Sequence, residues 1–101
     1  MKESCIEYLV KQFNDLQLAE EIFSEYVDSV KKKALEAKES FDDRNWMNID
    51  LVAHAIKGNA LSVNDLNMVD LAIKLRSAAR LSNETEVAEL IENLNTLVND
   101  L

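Results

Sequence analysis

The single histidine of the sequence, His54, stands beside two residues that suit it for nucleophilic chemistry. Lys57 follows it by three residues and Gly58 by four, so a helix at this point places all three on one face. A neutral imidazole has a free ring nitrogen that can attack phosphorus, and a neighbouring ammonium group offsets the negative charge that the ring then carries. A residue without a side chain lets a docked surface come close. These residue types at this spacing predict a histidine that accepts a phosphoryl group from another protein.

The helix around His54 is expected to turn this histidine away from the core. Apolar residues recur at helical spacing and define the core face of the segment: Ile49, Val52, Ala53, Ile56, Ala60 and Val63. At about 100° per residue, His54 lies about 100–200° around the helix from these positions, so its ring should be accessible to solvent. Gly58 costs about 1 kcal/mol relative to alanine inside a helix, and the approach of another surface is the usual reason for such a cost.

Simpler interpretations of the same residues stay open. A lone histidine on a helix surface is usually incidental, and a glycine inside a helix can serve packing against a neighbouring helix. It is the coincidence of His54, Lys57 and Gly58 on one face that favours the phosphoryl-accepting role. If His54 is incidental, the alternative is a non-phosphorylated helical adaptor that binds a signalling partner.

The composition argues against several other classes of function. The chain has 11 Lys and Arg against 19 Asp and Glu, a net charge of −8, which disfavours nucleic acids and anionic membranes as partners. One histidine and one cysteine, Cys5, are too few for a metal site of the bundle type or for an internal disulfide. One glycine is too few for a glycine-rich nucleotide loop. With no apolar secretory or membrane-spanning segment in the sequence, we expect a cytoplasmic protein.

Helices are the expected architecture, because the 101 residues include no proline, one glycine and 48% hydrophobic residues. The apolar pattern predicts a short first helix opened by a capping box at Ser4–Glu7, and a long helix over Leu16–Ser40 that Asn14-Asp15 is expected to cap. A third helix is predicted over Trp46–Val63, a fourth after Asp65, which follows Asn64, and a last one after Asn83. The fold class expected is all-α, an antiparallel up-down four-helix bundle with a short additional N-terminal helix, forming one monomeric domain over residues 1–101.

The segment Ala53–Ala60, with the sequence AHAIKGNA, resembles the signature of the histidine-containing phosphotransfer (HPt) domain family. The pattern in that family is Ala-His-x-(Leu/Ile)-Lys-Gly-(Ser/Gly)-Ala on a bundle helix. The resemblance covers nearly the whole chain. Asn14–Phe23 is similar to the start of the family's second helix, Asn45-Trp46 stands where the family often has Asp-Trp, and Leu71–Leu75 with Arg80 resembles the family's next helix.

The resemblance implies a role for each residue of the motif. His54 would be the phosphoacceptor in a relay with the aspartate of a response-regulator receiver domain, or with a sensor histidine kinase. Lys57 would stabilise the phosphoryl group, and Gly58 would clear space for the receiver. The chain would have no ATPase or kinase activity and no cofactor of its own, because the receiver domain supplies Mg²⁺ and the catalytic residues.

A partly apolar patch around His54 is the expected binding surface for this partner. Leu61 lies seven residues after His54 on the same face, and Leu51 and Ala55 are expected to flank the ring. The histidine-bearing dimerisation hairpin of a sensor kinase fits less well, because Ala55 follows His54 where that module usually has an acidic residue, and proline is absent.

Three features depart from the family pattern or add to it. Asn59 replaces the commoner serine or glycine, and its amide is expected to keep a hydrogen bond available near the ring. Asn64-Asp65 stands where the family often has Gly-Ala, and asparagine tolerates the left-handed backbone that such a turn needs. Asp50, four residues before His54, is expected to be a solvated residue near the helix start; the alternatives are that it orients the ring or slightly repels phosphate.

Overall fold

The computed structural model describes residues 2–101, and within this range the chain forms α-helices and no strand. The helices are α1 (Glu3–Phe13), α2 (Leu16–Asp42), α3 (Trp46–Ser62), α4 (Leu66–Arg80) and α5 (Glu84–Asn99). α2 packs against α3, α3 against α4, α4 against α5, and α5 back against α2, while α1 packs on α2. The predicted all-α class is confirmed. Across residues 2–101 we find no helix with the length and apolarity needed to cross a membrane.

Side-chain caps set the starts of four helices. In each, an oxygen of the N-cap side chain accepts a hydrogen bond from a backbone N–H three residues later: Asp15 from Leu18, Asn45 from Asn48, Asp65 from Met68 and Asn83 from Glu86. Each cap satisfies one of the N–H groups that a helix start leaves without an intrahelical partner. The caps predicted before α2, α4 and α5 are confirmed.

The start of α1 differs from the prediction. The pattern at Ser4–Glu7 predicted a capping box, but α1 begins at Glu3, with Lys2 as its N-cap and no side-chain cap. The ammonium group of Lys2 binds the carboxylate of Asp65, which holds the chain just before the predicted cap. The prediction was wrong because it considered only the local pattern, whereas the Lys2 contact joins residues 63 positions apart.

Each connection between helices contains one residue in the left-handed conformation. These residues are Asn14 (φ 52°), Arg44 (φ 53°), Asn64 (φ 58°) and Ser82 (φ 51°). The expectation that Asn64 allows a left-handed turn is confirmed, since asparagine is one of the few residues that adopt this backbone readily. Because each connection is only two or three residues long, consecutive helices must lie side by side.

The core is built from apolar side chains of all five helices. The predicted core face of α3 is confirmed, since all six of its residues are buried. Three large apolar residues of α4 and its C-terminal end lie outside the core: Leu66, Ile73 and Leu81 are 60%, 48% and 75% exposed. The helix instead buries Leu71, Leu75 and its alanines, which leaves these three large residues in solvent.

A buried carboxylate joins elements that are far apart in the sequence. Asp65 is 1% exposed and accepts a hydrogen bond of 2.7 Å from Tyr26 Oη of α2. The same side chain pairs with the ammonium of Lys2 and accepts the capping hydrogen bond from the N–H of Met68. A buried charge is stable only when it is paired and hydrogen-bonded in this way. Burial, together with the hydrogen bond to Asp65, raises the pKa of Tyr26 well above its usual value, so Tyr26 stays a hydroxyl donor.

Removal of the Tyr26 hydroxyl should therefore destabilise the fold. Tyr26→Phe leaves the buried Asp65 carboxylate short of a donor, and we expect the free energy of unfolding to fall by about 2 kcal/mol. Urea denaturation followed by circular dichroism measures this loss. Tyr8→Phe is a matched control, because Tyr8 is half-buried and its hydroxyl has no hydrogen-bond partner among residues 2–101. Equally small changes in the two variants would contradict the role assigned to Asp65.

Candidate functional site

His54 lies on the solvent side of α3, as predicted. The residues around it along the helix, Val52, Ala53 and Ile56, are buried, while His54 itself is exposed. Within residues 2–101, neither ring nitrogen takes part in a hydrogen bond or an ion pair. Packing against the core therefore fixes the orientation of α3, and in this orientation the imidazole is accessible from solvent.

An exposed row of residues runs along α3 through His54. Met47, Leu51, His54, Gly58 and Leu61 follow one another at alternating spacings of four and three residues, which places them in one row on a helix; we call this row the α3 stripe. Met47, Leu51 and Leu61 are 77%, 61% and 49% exposed.

The predicted exposure of Leu51 and Leu61 is confirmed, and Ala55 lies half-buried beside the stripe. Met47 was not foreseen as part of the patch, although its position four residues before Leu51 was the signal that pointed to it.

Gly58 is required neither by the packing of the chain nor by its backbone. A Cβ added at Gly58 would meet no atom within 4 Å, so no neighbouring helix depends on the missing side chain. Its φ angle is not positive, so the backbone is one that alanine adopts equally well. The alternative explanation, that Gly58 serves helix packing within the chain, is wrong. The glycine instead leaves a bare patch of helix surface one turn from His54.

Lys57 lies beside a groove between α3 and α4 that is rich in positive charge. The groove has a volume of about 400 Å³ and is lined by Lys57, Ile73, Arg76, Ser77, Arg80 and Leu81; we call it the basic groove. Lys57 is half-buried and has no ion-pair partner among residues 2–101. The sequence did not identify Arg76 as a site residue, and Arg80 entered only through the resemblance of its helix. A net charge of −8 makes this grouping of cations notable.

Asp50 is not the solvated residue that the sequence suggested. Its Oδ1 accepts a hydrogen bond of 2.7 Å from Arg76 Nε, its Oδ2 accepts one of 3.1 Å from Arg80 Nε, and its side chain is 22% exposed. Partial burial acts to raise the pKa of Asp50, but the hydrogen bonds from the two arginines outweigh it and lower the pKa below the usual range. The prediction failed because both arginines belong to α4, 26 and 30 residues further along the chain. No hydrogen bond joins Asp50 to His54.

Asn59 is directed away from the ring. Its side-chain Nδ2 donates a hydrogen bond of 2.9 Å to Ser29 Oγ of α2, so the amide joins α3 to α2. The hydrogen bond expected near the imidazole is not made, because five residues correspond to about 140° of rotation around a helix. Asn59 therefore supports the position of α3, while His54, Lys57 and Gly58 form the exposed site.

Among residues 2–101, no group of three or more His, Cys, Asp or Glu side chains lies close enough to hold a metal ion. No protein-family model, no curated protein and no solved structure matches the chain. The function of this site is therefore inferred from its residues and their geometry.

Substitution of Gly58 tests whether the fold needs this glycine. Because an added Cβ meets open space, Gly58→Ala should raise the free energy of unfolding by up to about 1 kcal/mol through the higher helix propensity of alanine. Thermal denaturation of the two proteins measures the difference. Destabilisation by alanine would mean that Gly58 has a packing role after all.

The ion pairs of Asp50 should make stability depend on pH. Because the folded-state pKa of Asp50 is lowered, these pairs contribute fully above about pH 4, the usual range of aspartate, and their contribution is lost as the pH falls through the lower folded-state value. Asp50→Asn should lower the free energy of unfolding by about 1 kcal/mol at neutral pH, and by progressively less below about pH 4. Urea denaturation over a pH series compares the two proteins, and a difference that stays constant into the acid range would contradict this account.

Proposed function

We propose that this protein is a phosphocarrier of the histidine-containing phosphotransfer type, which accepts a phosphoryl group on His54 and passes it to or from the aspartate of a receiver domain. The observation that carries this proposal is the bare helix surface at Gly58, one turn from the exposed His54. A glycine that the fold does not need is explained by a second protein that must come close to the histidine.

The helical arrangement proposed to support this role is an antiparallel up-down bundle of α2, α3, α4 and α5, with α1 added to α2. It is supported by the contacts of α2 with α3, α3 with α4, α4 with α5 and α5 with α2. It is also supported by connections of two or three residues, which suit antiparallel neighbours. We further propose that the chain is a single cytoplasmic domain that acts as a monomer.

The transfer step follows from the chemistry of imidazole. The lone pair of an unprotonated ring nitrogen of His54 attacks the phosphorus of an aspartyl phosphate on the partner. A nitrogen–phosphorus bond forms, the acyl-phosphate phosphorus–oxygen bond breaks, and the aspartate carboxylate leaves with the electron pair. Lys57, three residues from His54 on the same face, is the cation nearest in sequence that offsets the charge of the transferred group. Mg²⁺ and the remaining catalytic groups come from the receiver domain.

The α3 stripe is the proposed docking surface. Met47, Leu51 and Leu61 expose apolar side chains on both sides of His54 along the helix. A row of this kind combines an apolar contact area with a central reactive group, as a short-lived protein complex requires. The opposite face of α3 is fully buried, so the stripe should be held rigidly before the partner arrives.

Phosphotransfer from a panel of phosphorylated receiver domains tests the function directly. The wild-type protein should acquire an acid-labile, alkali-stable phosphate, and His54→Gln should acquire none. Label on both proteins would assign the phosphate to another residue. A folded protein that takes no label from any donor would favour the non-phosphorylated adaptor, for which His54 is incidental.

A second set of variants tests the docking surface. Leu61→Ala should slow the transfer by about tenfold, because an apolar anchor near the centre of a small interface is worth more than 1 kcal/mol. Leu35→Ala is the matched control, since Leu35 is also a leucine on a helix surface, 60% exposed, but lies on α2 in a groove shared with α5. Equal effects of the two substitutions on the rate of label transfer would exclude the α3 stripe as the docking surface.

A further inference from the structure

The two arginines that line the basic groove are already paired with an anion from this chain. Asp50 holds the Nε atoms of both Arg76 and Arg80, through one carboxylate oxygen each. It is the only carboxylate paired with either arginine among residues 2–101. The two guanidinium groups therefore converge on one negatively charged group on α3.

Asp50, His54 and Lys57 lie on adjacent turns of α3. At about 100° per residue, Asp50 and Lys57 are within about 20° of each other around the helix, and His54 lies about 40° to one side of Asp50. His54 is thus one turn from the carboxylate that holds both arginines, and one turn from the lysine that lines the groove with them. This register places a group added to the imidazole on the side of α3 that carries Asp50, the partner of both arginines.

We propose that Asp50 is the resident anion of these two arginines, and that a phosphoryl group on His54 competes with it for their side chains. A phosphoryl group carries a charge of about −2 and three acceptor oxygens, against a single charge on the carboxylate. Arginine binds both with the same planar fork of donors. This inference rests on the proposed phosphorylation of His54 and deepens it, because it assigns Asp50 as a positioning residue that limits how strongly the phosphoryl group is held.

The two arginines differ in their freedom to exchange partners. Arg80 is 59% exposed and its hydrogen bond to Asp50 is 3.1 Å long, whereas Arg76 is 27% exposed with a bond of 2.7 Å. Arg80 is therefore the side chain that turns first toward the new group, and Arg76 keeps α3 and α4 joined through Asp50. Phosphorylation would reorganise the charges of the groove without separating the helices.

The lifetime of the phosphorylated protein tests the competition. The full chain is phosphorylated with phosphoramidate, whose nitrogen–phosphorus bond breaks as ammonia leaves and the bond to the His54 nitrogen forms. The decay of the label is then followed in the wild type and in Asp50→Asn, which keeps the shape of the side chain and removes its charge. We expect the half-life to lengthen by about threefold in Asp50→Asn, because both arginines become available to the phosphoryl group. Arg76→Gln should shorten it, because one cation is lost.

Lys74→Gln is the control for net charge. It also removes one positive charge from α4, but Lys74 pairs with the exposed Asp70 and lines a different groove, shared with α5. The half-life of the phosphate label in Lys74→Gln should equal that in the wild type. Arginine Nε–Hε NMR signals provide a second readout, and phosphorylation should shift those of Arg76 and Arg80 but not that of Arg44.

The outcomes separate the two proposals. If neither the wild type nor any variant is labelled on His54 by phosphoramidate or by receiver domains, both the proposed function and the proposed competition are wrong. If His54 is labelled but Asp50→Asn decays as fast as the wild type or faster, with unmoved arginine signals, the phosphocarrier role stands and the competition is overturned.

Discussion

The carboxylate of Asp65 is the point on which the arrangement of the helices depends, because a buried charge must find all its partners at once. It caps α4, accepts a hydrogen bond from the Tyr26 hydroxyl of α2 and pairs with Lys2 before α1. These contacts can be satisfied together only when α2 and the α3–α4 turn occupy their present positions. The direction in which α3 faces, and hence the exposure of His54, follows from this constraint together with the burial of its apolar side.

Two faces of α3 have separate tasks. One face packs into the hydrophobic core. The other face carries the α3 stripe, and the basic groove lies beside this stripe, between α3 and α4. A side chain on a helix that is anchored in this way is positioned by the helix and not by a loop. The backbone that carries it therefore loses little conformational entropy when a partner docks. The chain as a whole is acidic, so the cations of the basic groove are a local exception, and they lie on the side of α3 that faces α4.

The periodic and local features could be predicted from the sequence, and the contacts between distant segments could not. The core face of α3 and the caps at Asp15, Asp65 and Asn83 follow from spacing and from residue types that act within one turn. The exposure of His54 follows from the same spacing. The partners of Asp50 depend on how α4 is rotated against α3, which no local pattern encodes, and the start of α1 depends on Lys2 reaching Asp65. The hydrogen bond from Asn59 to Ser29 is another contact between distant segments that no local pattern encodes.

The turn between α3 and α4 is closed by backbone hydrogen bonds that oppose a hinge rotation of the two helices. The backbone N–H groups of Val63, Asn64 and Asp65 all donate to carbonyls of α3, at Ala60 or Leu61. The three-residue connection has no spare length to absorb such a rotation, and the contacts of the Asp65 side chain with Tyr26 and Lys2 hold its far end. A change of charge on the exposed face of α3 is therefore expected to reach α4 through side-chain rotamers and the electric field, on the timescale of such motions, rather than through rotation of the helices.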